Sequence, residues 1–537
     1  MSKSFSYHLS MKKANNLLKS GLIFSSFTLF SRILGFIRDM VTANLLGSAS
    51  DIFVFAQRIP NLFRRLFAEG SFSQAFVPIL SQYYQEDDKK QMRELIASSF
   101  GWLSLITLTI TIIGVLGSGW LTIALANGWY QDYLTNTSDK FVQASFLLKI
   151  TFPYLFFISL VALSGAILNV VGKVALFSFT PVILNISLIV CALVLPQHLG
   201  GDVNLALALG TFIGGLVQLL IQIPFLHRLG FLVLPNLRIS EGVRTLFRRM
   251  VPTLIGASGS QINMLVSTVV ASFFVAGSMS WLYYAERLIE LPLGIFGVAI
   301  STILLPTLSR KASLLTKENN LENKQAFDAA MNWGVRIIFL VALPAMMGLI
   351  FLSKYIIDLL FLHGRFNYHD LEMTTVALIC FSFAVLPSML TKSLTNVFYA
   401  YGNTKTPMYV SLLTICLNII LNLIALKIDF WFLALSTSIA AGVNMLIIYY
   451  LLASRGFYAL DRLAWLTLLR AIFASIILSL VLFYLPSDYS LWTSNSLIYK
   501  LITLAFYGVS AIAAYLVVLF ILGFRFRHLK YVEVIRN

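Results

Sequence analysis

The stretch GSASDIFVFAQRIPNLFRRLFAEGSFSQAFVPILS, residues 47–81, has a counterpart in the same chain, GSMSWLYYAERLIELPLGIFGVAISTILLPTLS, residues 277–309. Gly47-Ser48-Ala49-Ser50 returns as Gly277-Ser278-Met279-Ser280, 230 residues later. Ala56-Gln57-Arg58-Ile59 returns as Ala285-Glu286-Arg287-Leu288 at an offset of 229, and Val77-Pro78-Ile79-Leu80-Ser81 as Leu305-Pro306-Thr307-Leu308-Ser309 at 228. Beyond the two stretches, Trp102 matches Trp333 at 231 and Gly172 matches Gly402 at 230. One match could be chance; five anchors at a nearly constant offset mark an internal duplication.

The surroundings say what is duplicated. Of 537 residues, 58% are hydrophobic and 12% charged, and the mean hydropathy is +0.84. A soluble domain carries about a quarter charged residues. Here the apolar residues fall in blocks of 20 or more, the length that crosses a hydrocarbon core of about 30 Å. The blocks predict fourteen spans, at roughly 18–46, 51–81, 96–126, 143–171, 175–196, 203–227, 248–276, 280–309, 329–361, 371–400, 407–426, 430–453, 463–485 and 499–523. The fold class expected is therefore an all-α polytopic membrane protein of about 14 transmembrane helices.

The repeat offset covers six helices, an even number, so the two copies run in the same direction. Two parallel-related six-helix lobes follow, with two C-terminal helices outside the repeat. The expected division is 1–228 for the first lobe, 229–247 for an amphipathic linker, 248–455 for the second lobe, and 456–537 for helices 13 and 14 with the tail. Transporters built from parallel repeats bind cargo between the halves near mid-membrane and rock them to alternate access.

Lys and Arg concentrate in alternate connectors: the N-terminus, Lys89/Lys90/Arg93, Arg228 to Arg249, Arg310/Lys311/Lys317/Lys324, Arg455/Arg462, and Arg525/Arg527/Lys530/Arg536. The other connectors hold little more than Lys140, Arg365, Lys427 and Lys500. By the positive-inside rule both termini are cytoplasmic. Much of the net charge of +16 is thus topogenic, which sets nucleic acid aside. No cleavable signal peptide is read at the start, because the first apolar block is too long for one. The linker, with Arg238 and Arg244, reads as a surface segment lying against anionic headgroups. Cys191, Cys380 and Cys416 sit far apart in apolar blocks and read as small core residues.

Ionisable groups deep in a bilayer are costly and by default mark function. The first span carries Arg32, Arg38 and Asp39. The second carries Asp51, Arg58, Arg64, Arg65 and Glu69, interrupted by Pro60. The eighth carries Glu286, Arg287 and Glu290 with Pro292, and the tenth carries Lys392 near Pro387. Arg58 and Arg65 are seven residues apart and share a helix face, the kink at Pro60 making this approximate. Arg58 and Arg287 are repeat mates, expected on opposite walls of a central cavity. Converging guanidiniums there make an anion site, since the planar fork donates two parallel bonds to phosphate and keeps its charge. The competing reading pairs these arginines with Asp39, Asp51, Glu69 and Glu286 as ties between helices.

Neutral polar residues are sparser. Gln261, Asn418 and Asn422, with Ser258, Ser260 and Asn263, form a weak candidate cation site; interhelical hydrogen bonding is the favoured use. No metal-ligand spacing, phosphate-cradling glycine loop or nucleophile–base pair is found. Neither an enzyme nor a cofactor is expected.

One run points to a family. Ser31-Arg32-Ile33-Leu34-Gly35-Phe36-Ile37-Arg38-Asp39, then Asp51, then residues 58–78 (RIPNLFRRLFAEGSFSQAFVP), closely resembles the start of MurJ/MviN proteins. Ile150-Thr151-Phe152-Pro153-Tyr154, Gly165-Ala166-Ile167-Leu168-Asn169, Tyr284-Ala285-Glu286-Arg287-Leu288, residues 297–306, and Phe398-Tyr399-Ala400 leading to Lys405-Thr406-Pro407 fit the same pattern. The resemblance implies a lipid II flippase of the multidrug/oligosaccharidyl-lipid/polysaccharide exporter superfamily, working in bacterial peptidoglycan synthesis and cell shape. It implies the bacterial inner membrane, with helices 13 and 14 forming a groove for the lipid tail. It implies that Arg32, Arg38, Arg64 and Arg287 match functional cavity arginines, and Asp51 and Glu69 functional acids. Some members bind sodium near the seventh, eleventh and twelfth helices using an acid, where Asn422 stands here. The implied partners are lipid II, membrane lipids and cell-wall synthesis proteins. The alternatives are a flippase for another polyprenyl-pyrophosphate-linked glycan and a cation-coupled multidrug exporter on the same scaffold.

Overall fold

A computed structural model describes residues 26–65, 72–318, 320–484 and 489–525, without the side chains of 174 and 252–260. Among them there is no strand. Residues 26–46 form α1. It is followed by α2 (Asp51–Phe63), α3 (Ser73–Gln85), α4 (Lys89–Leu116), α5 (Ser118–Leu125), α6 (Asn127–Leu134), α7 (Lys140–Thr151), α8 (Tyr154–Val170), α9 (Val174–Val194) and α10 (Val203–Arg228). Then come α11 (Glu241–Ala271), α12 (Ser278–Pro292), α13 (Val298–Lys317), α14 (Leu321–Phe361), α15 (Tyr368–Ser382), α16 (Val385–Ala400), α17 (Lys405–Ala425), α18 (Trp431–Ser454), α19 (Arg462–Tyr484), the short α20 (Tyr489–Thr493) and α21 (Leu497–Ile521).

Among the described residues, eleven helical segments are long and apolar enough to cross a membrane. The expected spans outside that set are the first, second and seventh. The first is described only from residue 26, the second without residues 66–71, and the seventh without the side chains of 252–260. Each of the three is only partly described, so the eleven stand with an expected count of about fourteen. The molecule is an all-α, multi-pass membrane protein.

Local sequence sets the ends. Asp88, Asp202, Ser240, Asn320 and Ser496 each accept a hydrogen bond from a backbone N–H three residues on, capping α4, α10, α11, α14 and α21. Asn367 and Asp370 form a reciprocal capping box at α15. Two spans are broken in both halves. α7 stops before Pro153, and α15 gives way to α16, whose first turn holds Pro387. α2 loosens into a π turn at residues 64–65 past Pro60, and a π turn at Leu293–Gly297 follows Pro292.

The chain divides into two compact units, residues 1–276 and 277–537. In the first, α2 packs on α7, α3 on α8, α4 on α8, and α9 on α10. In the second, α12 packs on α15, α13 on α16, α14 on α16, and α17 on α18. These are the same neighbours shifted by the repeat. The glycine anchors carry the same backbone: φ is +54° at Gly47 and +102° at Gly277, and +79° at Gly172 and +71° at Gly402. Only glycine adopts that region without penalty. At both Gly172 and Gly402 the following N–H reaches back to close the helix, Lys173 to the Leu168 carbonyl and Asn403 to the Phe398 carbonyl.

Packing contacts place α11 in the first unit, against α3, α4, α5 and α6. Sequence repetition instead pairs it with α1, at the head of the second half. The linker before it is strapped to α4: the Asn236 N–H donates to the Ala97 carbonyl at 3.1 Å, and Ser98 Oγ donates to Asn236 Oδ1 at 2.8 Å. Val243, Leu246 and Met250 bury one face of α11 while Arg244, Arg248 and Arg249 stay exposed, the amphipathic arrangement expected of this segment. Apolar burial between helices gains little from lipid, so close approach matters more. On α10, Gly210 and Gly214 lie against Leu184, Ser187, Leu188 and Cys191 of α9, and Ser187 Oγ donates to the Gly210 carbonyl at 2.9 Å. Cys191 and Cys380 are buried; Cys416 is exposed on α17 rather than a core residue.

Candidate functional site

In the first unit the charges lie on α1 and α2. Arg38 is buried and donates twice to Asp39 Oδ1, from Nε at 3.0 Å and Nη2 at 2.6 Å. Its Nη1 donates to Asn185 Oδ1 of α9 at 3.2 Å, and Asn185 Nδ2 donates to the Ser31 carbonyl at 3.1 Å. Arg38 and Asp39 therefore tie α1 to α9. Arg32, one and a half turns earlier, is exposed.

On α2, Asp51 is almost wholly buried, and Lys140 Nζ at the start of α7 donates to its Oδ2 at 2.9 Å. A second contact fixes the same pair of helices, Thr151 Oγ1 donating to the Ala56 carbonyl at 2.9 Å. Two residues on, the half-buried Arg58 donates from Nη1 to Thr268 Oγ1 of α11 at 3.0 Å. Arg64 is half-buried, with Nε donating to Asn61 Oδ1 at 3.1 Å, and Arg65 is exposed. Glu69 lies outside the described residues, as do the side chains of Ser258 and Ser260.

In the second unit Arg287 is partly exposed and pairs along α12, Nη1 to Glu290 Oε2 at 2.7 Å. Glu286 and Lys392 are exposed on α12 and α16. The candidate cation residues of α17 are buried in a hydrogen-bonded chain. Asn422 Nδ2 donates to Asn418 Oδ1 at 2.9 Å, and Ser436 Oγ of α18 donates to Asn422 Oδ1 at 2.5 Å. That chain ties α17 to α18, the use favoured from the sequence. Gln261 is half-buried on α11, in the other unit. Among the described residues, no group of three or more His, Cys, Asp or Glu could hold a metal.

Two groups were not singled out from the sequence. Asp358 on α14 is fully buried; Lys500 Nζ donates to its Oδ1 at 2.6 Å and Tyr489 Oη to its Oδ2 at 2.7 Å. Burial, and then the Asp358 carboxylate, push the Tyr489 phenol well above its ordinary pKa, so it stays a donor. The second is the pair Trp281–Asp370, the indole Nε1 donating to Oδ1 at 2.8 Å. The repeat offset held the signal for it: 281 and 370 are 51 and 140 each advanced by 230 residues.

A family model described as lipid II flippase MurJ matches residues 42–503. The chain is 43% identical to the probable lipid II flippase MurJ of Vibrio cholerae over 96% of its own length and 98% of the relative's. It is 41% identical to the corresponding Haemophilus influenzae protein over 94% and 99%. A solved structure of lipid II flippase MurJ in an inward closed conformation aligns with a TM-score of 0.76 at 28% identity, covering 95% of this chain and 99% of that one. An inward-facing multidrug resistance MATE transporter of the MOP superfamily aligns at 0.65 and 14% identity, a likeness of fold alone. The chain belongs to the lipid II flippase MurJ family.

Proposed function

We propose that this protein is a lipid II flippase of the bacterial cytoplasmic membrane. It carries the polyprenyl-pyrophosphate-linked peptidoglycan precursor from inner to outer leaflet by alternating access, with both termini cytoplasmic. The observation that carries the reading is the family match across residues 42–503, joined to the arginines of the second span.

The chemistry supports it. A lipid-linked pyrophosphate needs fixed positive charge in a low-dielectric space, and guanidinium supplies charge with bidentate geometry. Asp39 is engaged by Arg38 and Asp51 by Lys140. By sequence, Arg32, Arg38, Arg58, Arg64 and Arg65 outnumber Asp39, Asp51 and Glu69 in the first two spans. Arg287 supplies the matching charge on α12. In this reading the arginines clamp the pyrophosphate while the polyprenyl tail stays in lipid or along α19 and α21, whose exposed Phe473, Ile476, Val509 and Ile512 suit lipid contact. Cell-wall synthesis proteins are the expected protein partners. A multidrug exporter has only the shared fold in its favour, since cationic drugs call for acids where this chain places arginines.

The test is complementation. Cells depleted of their own lipid II flippase express this protein as wild type or Arg287→Ala, and outward exposure of lipid II is followed. Rescue by wild type and loss with the variant are expected. Failure of well-inserted wild type to rescue would transfer the proposal to another polyprenyl-linked glycan.

A further inference from the structure

We infer that Lys140 is a positioning residue for transport: it clamps the leading end of the arginine-bearing helix α2 through Asp51, without itself touching cargo. The inference rests on the flippase reading for its consequence, and on geometry for its substance.

Three observations carry it. First, the Asp51–Lys140 pair spans 89 residues of sequence, closes at 2.9 Å and is nearly out of solvent, with side-chain exposures of 2% and 18%. A buried ion pair is a poor source of net stability, because both charges must be desolvated. Its value lies in fixing a geometry. Second, the clamp has two points along α2: Lys140 holds Asp51, and Thr151 from the same helix as Lys140 holds the Ala56 carbonyl at 2.9 Å. Both points precede Arg58 on α2. The beginning of α2 is thereby referenced to α7, while its far end loosens into a π turn at Arg64 and Arg65.

Third, the other half of the chain makes the same contact with different chemistry. Trp281 stands at the repeat position of Asp51, and Asp370 at that of Lys140, both at an offset of 230. They meet at 2.8 Å, joining α12 to α15 as Asp51 and Lys140 join α2 to α7. The acid has changed helices, the cation has become an indole, and the donor–carboxylate contact has stayed. Two copies that diverged in residue type yet kept this contact point to the junction itself as what matters. In each half it sits at the start of the helix that carries a candidate cargo arginine, Arg58 in one and Arg287 in the other.

The test uses full-length protein in proteoliposomes, with lipid II affinity and lipid II turnover measured separately. Lys140→Met is expected to lower turnover at least about tenfold, since it removes the α7 partner of a buried carboxylate, while affinity stays within about twofold of wild type. Lys140→Arg should keep the clamp and the activity. Wild-type turnover in Lys140→Met would overturn the inference. So would a parallel loss of affinity, which would make Lys140 a cargo ligand. If Lys140→Met does not insert, Lys140→Gln beside Lys140→Arg decides: loss in the first with retention in the second is expected, and wild-type turnover in Lys140→Gln would overturn the inference. Should wild type neither bind nor move lipid II, the flippase reading fails by itself. A double-mutant cycle in thermal unfolding then still tests the clamp, and additive effects of Asp51→Asn and Lys140→Met would refute it.

Discussion

The two halves share a frame and differ at one wall of it. In the second unit the third span of the repeat is a single helix of 41 residues, α14. In the first, the corresponding sequence is broken into α4, α5 and α6 at Gly117 and Ala126. The pieces face different company. Gly128 on α6 donates its N–H to Ser272 Oγ near the end of α11 at 3.0 Å. The residue 230 positions on is Asp358, which receives Lys500 and Tyr489 from the C-terminal addition. One duplicated wall thus became a bed for α11 in one copy and a dock for α19–α21 in the other. Duplication set the neighbours, and later substitution at a few positions decided what each copy could hold.

The largest effect is expected at the dock. Asp358→Ala strands the buried Lys500 ammonium, and losing one partner of a buried pair costs about 3–5 kcal/mol. Thermal unfolding of the purified protein in detergent should show a large drop, confined to the second unit if the halves unfold separately. The Tyr489 contribution to this junction is fully present below about pH 10, the ordinary phenol value. It is lost only as pH rises through the raised value of the folded state.

The matching break in the first unit is Gly128→Ala. An added Cβ would lie 2.2 Å from the Ser272 carbonyl oxygen, so α11 must shift, at a cost of about 1–3 kcal/mol. Undisturbed stability in the Gly128→Ala variant would show that α11 does not rest on α6. Gly172→Ala and Gly402→Ala sharpen the comparison from the other side. Both occupy left-handed backbone with open space around the Cβ position, so each should cost about 1–2 kcal/mol, and about equally. Unequal costs would mean that the two turns are not equivalent. The smallest effect is expected from Ser436→Ala, which removes one interhelical bond to Asn422; such bonds in membranes average about 0.6 kcal/mol.

Much of this was legible in advance. Blocks of apolar sequence, the constant offset and the alternation of Lys and Arg mark a duplicated, multi-pass helical protein, because bilayer thickness and repeat spacing act locally on the chain. The arginines of α1, α2 and α12 stood out because charge inside an apolar block has no cheap explanation. Which acids they meet was not legible. Arg38 could be read toward a cavity or toward Asp39, and Asn185, 147 residues away, tips it to α9. Lys140 looked like a loop charge, since nothing near it in sequence says that it reaches Asp51. The placement of α11 was equally hidden: its repeat mate is α1, but its packing is set by Ser272, Thr268 and the strapped linker. Asn418 and Asn422 share a helix face by spacing, yet the partner that closes their chain, Ser436, belongs to another helix.

The most direct test of the account's central claim, that fixed guanidinium charge carries the cargo pyrophosphate, is lipid II translocation by reconstituted protein bearing Arg64→Ala, beside Arg64→Lys. The account predicts that both insert normally, that Arg64→Ala loses translocation, and that Arg64→Lys keeps charge but recovers only part of the rate. Undiminished translocation by Arg64→Ala would contradict it.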